Sequence, residues 1–408
     1  MTDFLVDIGL SRDLAVLIAK TLGALGLATI GLVWTFFLIW VERKIAGRFQ
    51  DRLGPNRAGP FGIVQTVADA IKIVLKEDIM HSGVDRWVFN IAPLLSVMSV
   101  LLLWVVVPFT PTLIGVDLSI GVLYLFAVGS LGAIAILMAG WGSNNKFALL
   151  GAFRAVAQLI SYEVPMALAM LVPVVLAGSM STQDVVQSQH VMYVLAVPLT
   201  VLIFIIASMA ELGRAPFDIL EAESELVAGY QVEYSGFKFG LFYVGEFLHA
   251  FTVGMIMAVL FLGGWRGPFV YDVPALGIVY LLVKSFIGYF VVLWIRMTLP
   301  RIRVDQVLNL GWKFLVPLSL INLIVVAFVW KIMPGTDAID SLRDALLPSL
   351  VLFVVNIIMI LGVGMLLREQ GRRERLRLEA RRRALEPVVN PAAVDDSIAG
   401  AAPAGAGS

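Results

Sequence analysis

Long uninterrupted apolar runs dominate the chain, separated by short polar connections. Nine runs can cross about 30 Å of hydrocarbon: approximately 13–41, 88–108, 118–141, 151–178, 191–211, 240–265, 274–296, 312–333 and 345–368. Their apolar positions are continuous and do not alternate, which predicts helices. The fold class that follows is an all-α integral membrane protein: a multi-span bundle of about nine transmembrane helices. One stretch, "PFGIVQTVADAIKIVLKED" at 60–78, has a different period. Val64, Val67, Ile71 and Val74 share one helical face, and Gln65, Asp69, Lys72 and Lys76 share the other. Pro60 suits a first helical position. This segment predicts an amphipathic helix at the membrane surface, lying along the interface or packed on the spans.

Composition supports the bilayer as solvent. Of 408 residues, 59% are hydrophobic and only 15% charged, and the mean hydropathy is +0.90. The chain has no cysteine, which excludes disulfides, thiolate-held iron–sulfur clusters and cysteine zinc sites. Its three histidines, His81, His190 and His249, are not spaced as metal or haem pairs. A formal net charge of zero argues against a nucleic-acid partner. No cleavable leader is expected, because the first run leads into Glu42, Arg43 and Lys44 and not a small-residue cleavage site.

The connections alternate in charge. Loops 42–87, 142–150, 212–239 and 297–311 carry the lysines and arginines, whereas 109–117 and 179–190 have none. The positive-inside rule makes the first group cytoplasmic. Nine spans then leave the N-terminus outside and the C-terminus in the cytoplasm, with the amphipathic helix on the cytoplasmic side. The chain divides into an N-terminal segment (1–12), a membrane domain (13–333), an additional C-terminal transmembrane helix (345–368) and a tail (369–408). The start of that tail, 368–383, holds eight arginines and three glutamates in a helix-compatible pattern. It fits a solvated topology anchor, or a contact with anionic lipid or an acidic partner. Beyond Pro387 the composition predicts disorder.

The acids are unevenly placed. Glu211, Asp218, Glu221, Glu223, Glu225 and Glu233 cluster within 210–235 against the single base Arg214. Glu163 and Glu246 lie inside apolar runs, and Glu211 ends one. A carboxylate at mid-membrane costs about 2.5–3.5 kcal/mol on insertion scales, so these must face the protein interior or water. Together with the loop acids they could form a proton relay from the surface into the bundle. For the loop alone, a solvated patch that docks on a basic partner is an equal reading. His249, three residues beyond Glu246, could pair with it or be a core histidine. A second group is basic and aromatic. Arg43 and Arg52 follow the first run, Arg296 ends the seventh, and Phe239 and Tyr243 open the sixth. These could line a channel for an amphiphile with a polar ring, although arginine at cytoplasmic helix ends is also what topology alone requires. No phosphate-binding loop, dinucleotide fingerprint or nucleophile elbow occurs in a usable place.

Five motifs in fixed order carry a resemblance: "ERKIAGRFQDRLGPNRAGPFG", "VADAIKIVLKED", "RAVAQLISYEVPMAL", "AELGRAPFDILEAESELVAGYQVEYSGFKF" and "LWIRMTLPRIRVDQVLNLGWK". Over residues 13–333 the chain resembles the family of respiratory complex I membrane subunits that includes mitochondrial NADH dehydrogenase subunit 1 and its bacterial counterparts. The resemblance implies a bacterial plasma-membrane subunit of NADH–quinone oxidoreductase that is not catalytic alone. It implies that the chain forms the lower part of the quinone tunnel and begins a charged axis linking quinone reduction to proton translocation. Quinone, ubiquinone or menaquinone, is then the substrate, and the chain itself holds no cofactor. FMN and iron–sulfur clusters are expected on the peripheral-arm partners, with small membrane-arm subunits and lipid as further neighbours. On matching motif positions it assigns the tunnel to Arg43, Arg52, Phe239, Tyr243 and Arg296. It assigns proton coupling to Asp69, Glu163, Glu211, Asp218, Glu221, Glu223, Glu225, Glu233 and Glu246. It gives no role to the ninth run or the arginine-rich tail. The alternatives are the equivalent subunit of a membrane-bound hydrogenase and a non-catalytic anchor for a soluble arm.

Overall fold

The computed structural model describes residues 11–219, 227–333 and 342–385. The acids Glu221, Glu223 and Glu225, the first ten residues and the tail beyond Leu385 lie outside the described residues. The order is α1 (Arg12–Phe49), α2 (Val64–Leu75), α3 (Arg86–Val106), α4 (Gly121–Gly142), α5 (Lys146–Ala177), α6 (Pro198–Glu211), α7 (Gly236–Phe261), α8 (Ala275–Thr298), α9 (Val304–Ile332) and α10 (Leu342–Leu385). Among the described residues there is no strand beyond one isolated bridge, Pro108 to Ile114. Among the described residues eight helices are long and apolar enough to cross a membrane.

The fifth apolar run forms a shorter helix than its sequence predicts. Within 191–211 the backbone breaks at Val197 (φ −129°, ψ 63°), and Pro198 opens a helix of 14 residues. At 1.5 Å per residue α6 is about 21 Å long. Proline fits the first turn, where no amide donor is needed, but it cannot continue the preceding turn of Tyr193–Ala196. The amphipathic segment also differs from its expectation. Pro60 starts a separate 3₁₀ turn, interrupted by positive φ at Phe61 (55°) and Gly62 (80°), and α2 begins only at Val64. A Cβ at Gly62 would lie 2.2 Å from the Pro55 carbonyl oxygen, so the turn requires glycine there. The apolar face of α2 does not pack on the bundle: Val64, Val67, Ile71 and Val74 are all exposed. Its polar face, with Gln65 and Asp69, turns toward the end of α1.

Up to Phe353 the chain forms one compact unit, and residues from Val354 onward form a second. In the first, α7 is the central helix, with 78% of its apolar window buried against 17% for α1. Gly254 of α7 meets Gly288 of α8, where a Cβ on Gly288 would come within 3.0 Å of the Gly254 Cα. Small residues let the two backbones approach this closely, as membrane helix packing favours. Polar side chains join other helices in place of hydrophobic driving force. Trp104 Nε1 donates to Thr252 Oγ1 at 2.8 Å, and Asn322 Nδ2 to Thr200 Oγ1 at 2.7 Å. Tyr162 Oη donates to the Val307 carbonyl at 2.8 Å. α5 is capped by Asn145, whose side chain accepts from Phe147 N, and is closed by left-handed Gly178. The two most buried of these long spans, α5 and α7, are those that carry Glu163 and Glu246.

Candidate functional site

The site begins at one arginine. Arg214 lies in the short segment after α6, is 2% exposed and sits between two helices. Its Nη1 donates to Glu42 Oε2 of α1 at 2.8 Å, and its Nε to Glu246 Oε1 of α7 at 3.1 Å. Glu42 also accepts from Tyr289 Oη at 3.1 Å and from Arg296 Nη1, both on α8. Two carboxylates therefore meet two guanidiniums, and the buried group balances its formal charge. Burial alone would lower the Arg214 pKa, but the adjacent Glu42 and Glu246 raise it and keep the group charged. Its Nη2 is buried with no hydrogen-bond partner among the described residues, and its guanidinium lies 5.0 Å from the Phe247 ring centroid.

The local chain path explains why Arg214 points inward. Gln158 of α5 donates to the carbonyls of Ala210 and Phe217, at 2.7 and 2.9 Å. That amide pins both ends of the segment carrying Arg214. Ile302 N donates to the Pro216 carbonyl at 3.0 Å from the far side. Left-handed Gly213 (φ 60°) makes the turn out of α6.

Glu246 also faces a cavity of about 90 Å³, room for several waters by volume. Glu163, Glu211 and His249 line the same cavity, together with Ser96, Ser99 and Tyr230. Glycines keep it open. A Cβ at Gly245 would meet Ser96 Oγ at 3.0 Å, and one at Gly129 would meet Glu211 Oε1 at 3.6 Å. His249 Nε2 lies 3.8 Å from Glu211 Oε1. The acid beside His249 is thus Glu211, at the end of α6, and not Glu246, the partner considered from sequence. The cavity thus collects on one lining three carboxyls and an imidazole, the group types used in general acid–base proton transfer.

The other expected residues fall into separate places. Arg43 Nη1 pairs with Asp69 Oδ2 of α2 at 2.5 Å, and Gln65 Nε2 donates to Asp69 Oδ1. Partial burial raises the Asp69 pKa, but Arg43 and Gln65 outweigh it and hold the carboxyl below its ordinary range. Arg296 joins the buried group through Glu42. Phe239 and Tyr243 of α7 lie with centroids 4.7 Å apart and their rings tilted by 45°, and Tyr243 continues to Phe247 at 6.3 Å. This aromatic strip ends against Arg214. Arg52 is exposed and donates to Gln50 Oε1 in the turn after α1, away from the buried group. Glu233 accepts from Asn145 Nδ2 at 2.7 Å, at the start of α5, and does not line the cavity. Asp218 is half-buried beside the pinned segment, with Oδ1 lacking a hydrogen-bond partner among the described residues.

Glu42, Arg214 and Tyr289 were not among the site residues expected from sequence. Glu42 read as part of a basic helix end, and Arg214 as a lone charge in a polar loop. A signal was present for Arg214: one arginine among six acids, held between "ELG" and "APF" with no flexible polar neighbours.

Comparison with known proteins identifies the family. Residues 22–327 match the family model described as NADH dehydrogenase. Two curated relatives are each named as the H subunit of NADH-quinone oxidoreductase. That of Dehalococcoides mccartyi strain CBDB1 is 47% identical over 323 residues, covering 79% of this chain and 90% of the relative. That of strain ATCC BAA-2266 / KCTC 15142 / 195 is 48% identical over 297 residues, covering 73% and 83%. Each of the expected site residues, together with Glu42, Arg214 and Tyr289, falls inside the matched stretch, whereas α10 lies beyond it. With eight long apolar helices among its described residues, the chain is a multi-pass membrane protein that belongs to the NADH dehydrogenase family, alongside these H subunits of NADH-quinone oxidoreductase.

Proposed function

We propose that this chain forms the membrane part of the quinone site in a proton-translocating NADH–quinone oxidoreductase and passes the charge change of quinone reduction to an internal proton cavity. The observation that carries this reading is the Arg214 bridge. It joins Glu42 and Arg296, beside the tunnel candidates, to Glu246, which lines the acid cavity.

The mechanism follows from charge balance. Negative charge arriving on a reduced quinone headgroup near Arg296 competes with Glu42 for that guanidinium. Glu42 then draws more strongly on Arg214, and Arg214 releases Glu246. An unpaired carboxylate in a low-dielectric site is costly, so Glu246 takes up a proton from the cavity shared with Glu211, Glu163 and His249. Phe239, Tyr243 and Phe247 supply a run of tilted aromatic faces suited to a ring and its isoprenoid tail. Asp69 restrains Arg43 at the mouth, and Glu233 and Asp218 extend the acid set toward the 212–239 loop. NADH oxidation, with FMN and iron–sulfur clusters, belongs to partner subunits. The basic connections support an N-terminus outside and a C-terminus in the cytoplasm.

The test uses the assembled complex in proteoliposomes. Glu163→Gln is expected to leave the complex intact while lowering proton uptake per NADH oxidised. Unchanged uptake with an unchanged rate would remove the cavity from the mechanism. A chain that only anchored the soluble arm would instead lose assembly and would not photocrosslink to a quinone analogue.

A further inference from the structure

Beyond the family match, α10 carries a feature that the quinone reading does not use. Its apolar stretch from Ala345 to Leu367 is 23 residues, about 34 Å of helix, enough to cross the hydrocarbon core. The helix continues without a break to Leu385. Arg368 therefore emerges at the hydrocarbon edge, Arg372 one turn further and Arg375 about 10 Å beyond Arg368, all within reach of the headgroup layer.

These three arginines are not spread evenly around the helix. Spaced i, i+4 and i+7, they share one side, and with Leu367 and Gly371 they line a notch of about 460 Å³. Nothing lies within 4 Å of the Cβ position of Gly371. A glycine inside an exposed helix costs about 1 kcal/mol relative to alanine, and no close packing accounts for it here. Its effect is to leave open space between guanidiniums. Arg373 differs: it points to another side and is paired with Glu369. The notch thus combines an apolar floor at the membrane edge, an open glycine and a local excess of positive charge. A topology anchor needs only the charge.

We propose that the Arg368–Gly371–Arg372–Arg375 notch is a binding site for the headgroup of an anionic phospholipid from the adjoining leaflet. The phosphate accepts hydrogen bonds from the guanidiniums, and the glycerol and first methylenes rest on Leu367. Planar guanidiniums suit a phosphate better than ammonium groups do. Each arginine near an anionic surface contributes roughly a fivefold gain in association.

The experiment uses the complete complex in nanodiscs of phosphatidylcholine containing a minority of phosphatidylglycerol, with bound lipid counted by native mass spectrometry after detergent washing. Wild type is expected to retain phosphatidylglycerol. Arg368→Gln/Arg372→Gln/Arg375→Gln is expected to weaken that retention on the order of a hundredfold. Gly371→Leu fills the notch while keeping every charge and the topology, and it is expected to lose the same lipid. Arg343→Gln, at the opposite end of the span, is the control and should retain it. Retention by Gly371→Leu equal to wild type would overturn the proposal and leave the arginines as a topology anchor. A protein chain crosslinking at position 372 in place of lipid would also overturn it. NADH–quinone turnover, measured on the same samples, reports separately on the quinone reading.

Discussion

Glu42 and Arg43 are neighbours on α1, yet they stand in different dielectric worlds. Glu42 is 6% exposed and meets Arg214, Arg296 and Tyr289. Arg43 has a side chain 45% exposed and meets Asp69 on the amphipathic helix. Successive helical residues point about 100° apart, which sends one charge into the bundle and the next to its surface. The inner pair is shielded from solvent, so each partner depends strongly on the other's charge. The outer pair is screened by water and salt. A signal can therefore travel through the first and hardly at all through the second.

That difference is broken most severely at Arg214. Arg214→Ala leaves buried Glu42 with Arg296 as its remaining cation and takes from partly buried Glu246 its guanidinium partner. Breaking such a buried pair costs about 3–5 kcal/mol, and the subunit is expected to be lost from the complex, as read by its recovery in purified membranes. Glu42→Gln is milder, because the amide keeps the shape and one acceptor. It is expected to lower quinone reduction by about tenfold, with the assembled complex still recovered on native gels.

The cavity gives an intermediate effect. Gly245→Val brings a side chain against Ser96 Oγ, 3.0 Å from the Cβ position. It should slow proton uptake more than quinone binding, which a solvent-isotope comparison of the two rates would show. The smallest effect belongs to the exterior. Arg43→Gln should change stability by only about 0.2–1 kcal/mol, in thermal unfolding of the solubilised complex. The pH dependence has a defined sign. The Asp69 carboxyl is held below its ordinary range, so its contribution is complete above a pH of about 4, the unfolded value, and is lost as pH falls further. Asp69→Asn should remove that acid-side loss and little else.

Much of the bundle could be read from the runs of apolar residues, since continuous hydrophobicity of span length has few other uses. α6 escaped that reading in part, because Pro198 looked like one apolar residue among many and not like the start of a shorter helix. The cost of a carboxylate in hydrocarbon pointed Glu163, Glu211 and Glu246 inward, and they line one cavity. What joins them to the basic end of the bundle could not be read. The Glu42–Arg214 contact spans 172 positions, and no local pattern links residues so far apart. Asp69 shows the converse. Its helix was legible from its period, but the outward turn of the apolar face depends on where α2 docks, which periodicity does not specify.

In the proposed mechanism Arg214 communicates between the tunnel side and the cavity through Glu246. The most direct test is the ratio of protons translocated to NADH oxidised in proteoliposomes carrying Glu246→Gln, with the content of assembled complex held equal. A lower ratio together with slower quinone reduction is expected, because the amide can still accept from Arg214 but cannot take up the proton. A wild-type ratio at a wild-type rate would contradict it.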